Sequence, residues 1–422
     1  MYPRDLVVKI LTQVLSFEKP LDEVLESFSE ELTTPQVRAW VQELSAGVLR
    51  WKGRLDFLID SLATKKKPSG WLRKILLVGA YQLVVQDRVT ANKVVFETVE
   101  EVKRKEGEAP ARFANACLRR IAEQAPQWRN LSWSESMSSE ESAFWASLPH
   151  WLWNKLVTEY GIEWTTSFAE ACLQRPSLWL RSLDQLTFGQ QGPLPDSWKI
   201  EEGGLITEKE GFKAGTFFVQ DISSQKLIDE VTQILKSKSE SLGSVKVWDV
   251  CAAPGGKSVG LAWNGLQVVS SDKSGSKRLS LLKETVQRVA PQVCVIESDE
   301  EVDALPLQDL VWVDAPCSGT GIIRRHPDVK WIRKEKDIPQ LNQLQLELLK
   351  KAWSKVKPQG FLVYSVCSVL KEEGPALIQK AGIVQNKTDL KSSEGKIIQE
   401  WSLSPQFAPY GDGFWAVMLQ KI

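Results

Sequence analysis

Asp249-Val-Cys-Ala-Ala-Pro-Gly-Gly-Lys-Ser258 sets two adjacent glycines and a lysine between an apolar run and a helix-like one. Glycines there let backbone approach a ligand closely, and a helix N-terminus offers free N–H donors. An acid, Asp272, ends the next apolar run, where a ribose hydroxyl pair is held in dinucleotide-binding folds. Together they point to a nucleoside-containing cofactor. Gly256-Lys257-Ser258 imitates the end of a P-loop, but that motif needs a glycine where this chain has Cys251.

Two further blocks carry thiols. Asp314-Ala-Pro-Cys-Ser-Gly-Thr-Gly321 follows one apolar run, and Val366-Cys367-Ser368 closes another. A lone cysteine is ordinarily a small buried hydrophobe. Cys317 instead sits in a Pro/Ser/Gly-rich loop, and Cys367 has a serine after it. Two thiols at the carboxyl ends of parallel strands would converge on one crevice, and a thiolate near Lys257 or a helix terminus would be a nucleophile. His326 is the single histidine in this half of the chain and reads as structural or RNA-contacting rather than as a general base. The run Ile322–Lys334 mixes positive charges with Trp331. Its Arg and Lys would hold phosphates, and the indole would stack on a base or pack.

The elements that must position these residues follow from periodicity. Residues 1–128 repeat apolar positions at helical spacing, which predicts an all-helical domain of five to seven helices with Cys117 in its core. Residues 129–150 are polar and serine-rich and read as a linker, with Ser138 or Ser139 able to cap a short helix. Residues 151–220 read as a small α/β module. It has a helix ending at Gly161, a strand over 177–183 and a hairpin over 206–220. From 221 to 422, short apolar strands at 246–252, 266–272, 292–298, 311–316, 360–366 and 413–419 alternate with helical stretches. That pattern predicts a mostly parallel, doubly wound Rossmann-like α/β sheet, whose ligands lie at the carboxyl ends of the strands.

Composition narrows the function. Hydrophobic residues at 43% and charged residues at 25% are those of a globular protein, with no apolar run long enough to span a membrane. Six cysteines without a C-x-x-C pair, and two histidines, argue against a disulfide scaffold and against a structural metal. The expected setting is a reducing, cytoplasmic one, with no membrane partner. Net charge is +0, yet 17 Lys+Arg against 9 Asp+Glu in Arg50–Asn130, and 10 against 4 in Thr320–Gly360, leave two basic stretches that phosphates could meet.

CAAPGGKS, DAPCSGTG with IIRRHPDVKW, and VYSVCSVLKEEG together resemble signature blocks of the Sun/Fmu-type RNA cytosine-C5 methyltransferases. GVLRWKGRLDFLID, VGAYQLVVQ and FANACLRRIAEQ are similar to the NusB-like helical domain of the subtype that acts on small-subunit (16S) ribosomal RNA. RPSLWLRS, FVQDISSQ and GDGFWAVMLQK resemble its middle segment and last strand. The resemblance covers nearly the whole chain and implies a class I methyltransferase domain with S-adenosylmethionine as cofactor. By position, it implies that Cys251, Ala252, Ala253, Pro254, Gly255, Gly256 and Lys257 form the cofactor loop. Asp272 would hold the ribose, Asp299 would lie near the adenine, and Asp314 would border both cofactor and target base. It makes Cys367 the nucleophile that adds to cytosine C6 and Cys317 the thiol that promotes elimination, as a base. Lys257 would help polarise the ring. Two departures stand out: Val366 where the family has Thr, and Gly374 where it has Asn.

Two competing functions remain open on sequence. One is an RNA-binding assembly or antitermination-like factor with a vestigial methyltransferase fold. The other is a DNA cytosine methyltransferase using Cys317. The intact Cys367, Cys317, Asp314 and glycine loop weigh against the first, and the second thiol with the helical domain against the other. Ribosomal RNA is the expected partner, and nothing demands more than a monomer.

Overall fold

The computed structural model describes residues 3–63, 66–86, 89–201, 204–384, 395–407 and 411–422. Two compact units divide them, Met1–Arg175 with Ile323–Glu335, and Pro176–Ile322 with Lys336–Ile422.

The first unit is helical. It contains α1 (Pro3–Phe17), α2 (Leu21–Ser27), α3 (Pro35–Leu62), α4 (Gly70–Val84), α5 (Ala91–Glu106), α6 (Glu108–Arg129), α7 (Ser139–Ala146), α8 (His150–Tyr160) and α9 (Ile162–Leu173). The apolar stripes of α1, α3, α4, α5 and α6 meet in one core that includes Leu11, Leu44, Leu76, Val94 and Leu118. Cys117 lies in it, and burial pushes its thiol up to about 11. Gly47 has no room for a side chain, because a Cβ would strike the Tyr81 ring. The serine-rich stretch after α6 leads into α7, started by a reciprocal cap between Ser138 and Glu141.

The basic clusters of this unit are mostly paired. Lys103 bonds Glu108 at 2.7 Å, Lys105 bonds Asp5 at 2.8 Å, Arg104 lies 3.6 Å from Glu101 and Lys67 lies 2.9 Å from Asp60. Lys65 is outside the described residues. Where both partners are exposed, as for Lys103 and Glu108, such a pair contributes little to stability.

The segment 323–335 packs within this unit, which revises the reading of Ile322–Lys334 as a phosphate-binding run. Trp331 donates its indole N–H to the Leu49 carbonyl at 2.7 Å, and Lys330 donates to the Arg50 carbonyl at 2.9 Å from a buried position. Arg50 returns a bond to the Arg324 carbonyl, and the Leu21 N–H reaches Asp328. His326 sits 3.3 Å from Asp22. Burial lowers its pKa, but the Asp22 carboxylate outweighs that and raises it, and the pair ties this segment to α2. The periodicity of so short a segment does not reveal that α14 (Val329–Ile332) turns its cation inward.

Burial, with the Arg50, Lys52 and Arg54 cations adding to it, pushes the Lys330 ammonium down to about 7. Between the ordinary lysine value and 7 the unfolded chain holds a proton that the folded chain does not. Stability therefore falls by about 1.4 kcal/mol per pH unit as pH drops through that window, and the cost is complete below 7. Lys330→Met keeps the stem and removes the charge. It should stabilise by at least about 2 kcal/mol at pH 6.5, with the gain shrinking toward pH 10. Thermal unfolding at the two pH values checks this; a gain independent of pH contradicts it.

The second unit is α/β. A four-stranded antiparallel sheet has the order β2-β3-β1-β4, from β1 (Leu178–Ser182), β2 (Gln190–Gln191), β3 (Ser197–Ile200) and β4 (Phe217–Val219). No hairpin forms over 206–220. β4 pairs instead with β1, burying Phe217 and Phe218, and the hairpin is β2–β3. Then follow α10 (Ile222–Lys236), β5 (Lys246–Asp249), α11 (Gly256–Trp263), β6 (Gln267–Ser271), α12 (Lys277–Val289), β7 (Cys294–Ile296), α13 (Asp299–Ala304), β8 (Gln308–Asp314), α15 (Ile338–Ser354), β9 (Val356–Val366), α16 (Pro375–Ala381), β10 (Gly395–Leu403) and β11 (Phe414–Lys421).

The main sheet has the order β10-β11-β9-β8-β5-β6-β7. Strands β7, β6, β5, β8 and β9 are parallel, while at one edge β11 runs antiparallel to β9 and β10 antiparallel to β11. Runs such as Leu310–Val313 and Phe361–Tyr364 are buried throughout, as strands covered on both faces must be. Chain order reverses at β5, between β6 and β8. A crevice opens at such a reversal, at the carboxyl ends of the strands.

Candidate functional site

The turn after β5 is built for close approach. Gly255 has φ +105, a conformation that strains any side chain, and a Cβ there would sit tightly against Leu282 at 3.2 Å and Thr285 at 3.3 Å. The Gly255 N–H closes the turn on the Ala252 carbonyl at 2.7 Å, and Ala252 N–H bonds Ser271 of β6. Asp272, one residue past β6, accepts from the Ala253 N–H at 3.0 Å and from the Lys273 N–H at 2.8 Å. Arg278 of α12 bonds the Ala253 carbonyl. Cys251, Ala252, Ala253, Pro254, Gly255 and Gly256 thus form one turn facing Asp272. Burial, reinforced by the Asp272, Asp314 and Asp249 charges, raises the Cys251 thiol to about 12, so Cys251 is no nucleophile. Asp299 is exposed in the first turn of α13, after the carboxyl end of β7, the outermost parallel strand.

Beneath the turn lies Asp249, fully buried, accepting from Ser258 at 2.6 Å, with Ser270 on Ser258 at 2.8 Å. Burial raises its carboxyl to about 7 against the pull of Ser258 and Lys257. It belongs to the floor of the turn.

Lys257 stands in the first turn of α11 and reaches Asp314, at the end of β8, at 2.5 Å. Ser365 of β9 donates to the other Asp314 oxygen at 2.9 Å while accepting the Trp312 indole N–H at 3.1 Å. Burial pulls the lysine down, but the Asp314 charge and bond, with Asp249, prevail and raise it, so Lys257 is an ammonium. Cys367 follows β9, and its sulfur lies 3.2 Å from that of Cys317, after β8. The parallel register of β8 on β9 sets Asp314 opposite Ser365 and brings the two thiol loops together. Lys257, Asp314, Ser365 and Cys367 share a narrow pocket closed by Ser223, Ser224, Asp412 and Phe414.

The Cys317 thiol is raised well above its ordinary value by its hydrogen bond with Cys367, then by burial and by the Cys367 and Glu373 charges. The pair is thus a thiol beside a potential nucleophile, next to a cation–carboxylate pair and the glycine turn. Such an arrangement can add sulfur to an electrophilic ring carbon and hold the ring's polar edge.

Several groups escaped sequence reasoning. Gln220, after β4, holds the Gly256 carbonyl at 2.7 Å. Asp221 accepts from the Ser223 and Asp412 N–H groups at 2.9 Å each, tying the pocket wall together. Both lie in FVQDISSQ, where a buried amide before a helix cap was the available signal. Ser365, two residues before Cys367, shows as polar within an apolar strand. The departures have local reasons. Val366 is buried opposite Trp415, and a Cβ on Gly374 would meet the same indole at 2.9 Å.

Comparison with known proteins gives a consistent pattern. A family model described as 16S rRNA methyltransferase RsmB/F matches residues 232–419, and the NusB family matches residues 1–123. Ribosomal RNA small subunit methyltransferase B of Salmonella arizonae is 31% identical, covering 99% of this chain and 98% of its own. The protein of that name from Escherichia coli O139:H28 is 32% identical over the same shares. The crystal structure of PH0851 superposes with TM-score 0.70 at 20% identity, covering 100% of this chain and 99% of that one. A methyltransferase homolog from Pyrococcus horikoshii gives TM-score 0.55 at 20% identity, covering 69% of this chain and 100% of that one. The structural likenesses speak to the fold.

Proposed function

Because the chain belongs to the 16S rRNA methyltransferase RsmB/F family, we propose that it methylates C5 of one cytidine in small-subunit ribosomal RNA through a covalent bond from Cys367 to cytosine C6. S-adenosylmethionine is the methyl donor. The residues present suit it: a glycine turn whose backbone a Cβ would crowd, and a carboxylate at Asp272 with lone pairs left for a ribose diol. When bound, it supplies a methyl group on a positive sulfur. Asp272 and residues 251–256 would hold it, with Asp299 at the far edge.

The observation that carries the reading is the meeting of Cys367, Cys317, Lys257 and Asp314 at the carboxyl ends of β8 and β9. Cytosine C5 is a weak nucleophile. Addition of the Cys367 thiolate to C6 makes C5 enamine-like, able to take the methyl group. Asp314 then holds the cytosine edge, and the Lys257 ammonium stabilises the negative charge that the addition pushes onto the ring. In the last step the C5 proton leaves to water, the C5–H electron pair becomes the C5=C6 bond, and the C6–S pair returns to Cys367. Cys317, held as a thiol by its bond with Cys367 and by burial, is here not the base but a hydrogen-bond donor to the departing sulfur. The base must be single-stranded or flipped out to reach this pocket.

Incubation with labelled S-adenosylmethionine and unmodified 16S ribosomal RNA, followed by mapping, tests the reading. Label on C5 of one cytosine is expected; label on ribose or on another base would overturn it. Cys317→Ala should leave RNA covalently attached on a denaturing gel, with free product forming at least about tenfold more slowly. Free product at the wild-type rate with no adduct removes Cys317 from the mechanism.

A further inference from the structure

The two thiol loops are locked together by buried groups that make no contact with the pocket. Glu373, just before α16, is fully buried. One of its oxygens accepts from the Ser318 N–H at 2.8 Å and from Gln345 of α15 at 3.0 Å. The other accepts from the Ser318 hydroxyl at 2.5 Å. Gln345 also holds the Pro316 carbonyl at 2.9 Å, so both residues flanking Cys317 are tied to this one carboxylate. On the other loop, Ser368 lies 3.1 Å from the Ser318 hydroxyl and 3.0 Å from that of Thr320, and the Gly321 N–H bonds the Cys367 carbonyl. Tyr364 of β9 donates to the Glu373 carbonyl at 2.9 Å, fixing the backbone that carries the carboxylate.

The donors to the Glu373 side chain are Ser318, next to Cys317, and Gln345, which also holds Pro316 on the other side of Cys317. The carboxylate therefore acts on one sulfur more than on the other, although the two sulfurs are 3.2 Å apart. We propose that Glu373 is the positioning residue that makes the two thiols unequal. It clamps the Cys317 turn against Cys367 and sets a negative charge behind Cys317, so that Cys317 is the partner that keeps its proton. Without such asymmetry, two equivalent thiols at this distance would share one proton, and either could attack the ring. The division of labour in the proposed reaction rests on Cys317 staying a donor while Cys367 supplies the electron pair, so this inference rests on that reading.

The titratable groups around Cys317 are Cys367 after β9, Tyr364 in β9 and Glu373. Lys257 of α11 and Asp314 of β8 face the pocket on the Cys367 side. The Glu373 charge is among the causes that raise Cys317, after the bond with Cys367 and burial.

The test reads each thiol directly, with no RNA and no methyl donor. Iodoacetamide alkylation of Cys317 and of Cys367 is followed by mass spectrometry from pH 6 to 10. Glu373→Gln keeps shape and removes charge. Cys317 alkylation at pH 8 should rise about tenfold, while Cys367 changes less, and Glu373→Asp should restore the wild-type profile. Should E373Q not fold, Ser318→Ala serves. It takes away a donor and leaves the charge, so Cys317 should alkylate more slowly still. A folded E373Q with an unchanged Cys317 profile overturns the proposal, as does an E373D shifted as far as E373Q, or an S318A that does not move. Failure here while labelled C5 product still forms sinks the role of Glu373 alone. A shifted profile in a protein that labels no cytosine leaves Glu373's effect standing and sinks the methylation reading.

Discussion

On the proposed covalent route, Cys367→Ala should abolish methyl transfer: single-turnover labelling of the RNA is expected to fall by at least about 10⁴-fold, the scale seen when a covalent nucleophile is removed. The loss is this large because no other step supplies a nucleophilic C5. Binding and orientation of both reactants remain, but neither turns an aromatic carbon into an enamine. The variant should fold as well as the parent. The loop after β9 is held by the Cys367 carbonyl accepting from Gly321 and by the Ser368 hydroxyl accepting from the Leu370 N–H, and neither bond uses the sulfur. Calorimetry should show S-adenosylmethionine binding unchanged, since Cys367 lies at β9, away from the turn after β5. A residual rate within about tenfold of the parent would mean that Cys317 or no thiol at all attacks the ring, and the covalent scheme would have to be abandoned.

The parallel strands of the main sheet were legible because strands covered on both faces read as unbroken apolar runs. Val311–Val313 and Leu362–Tyr364 are such runs, and the thiol blocks begin where they stop. Strand β10 was not legible. Its Lys396, Gln399 and Glu400 are exposed on the outermost strand of the sheet, whose ladder is with β11. Glycine punctuation suggested a hairpin at 206–220, but the burial of Phe217 and Phe218 against β1 decides the pairing there. Of the two fates open to Trp331, stacking on a base or packing, it packs, and Lys330 turns inward beside it. A cation beside an indole looks the same in sequence whether it meets phosphate or a helix carbonyl. Within the site, residue types at strand ends could be grouped from sequence. The Glu373 clamp could not, since it joins residues 316–318, 345 and 373 through side-chain bonds that no local spacing announces.

Asp314→Asn should cost about 10³-fold in the single-turnover rate, or roughly 4 kcal/mol of transition-state stabilisation, with a smaller change in RNA affinity. Asparagine fills the same space and can still accept from Ser365, so the end of β8 keeps its shape. What disappears is the charge facing Lys257 at 2.5 Å. Two consequences follow from that one change. The target ring loses a fixed acceptor on its polar edge, and Lys257 loses the group that outweighs its burial. Burial then acts on the lysine with only the Asp249 and Cys367 charges opposing it, and its pKa falls. The remaining activity should therefore decline at lower pH on the alkaline side than in the parent, because neutral Lys257 cannot stabilise negative charge on the ring. Lys257→Met should lose a similar factor and show no such shifted limb. The double variant should be scarcely worse than either single one, as expected of groups that act as a unit. Additive losses in the double variant, or a D314N pH profile parallel to the parent's, would show that Lys257 and Asp314 act separately. The pair would then be a structural ion pair beside the pocket rather than part of the reaction.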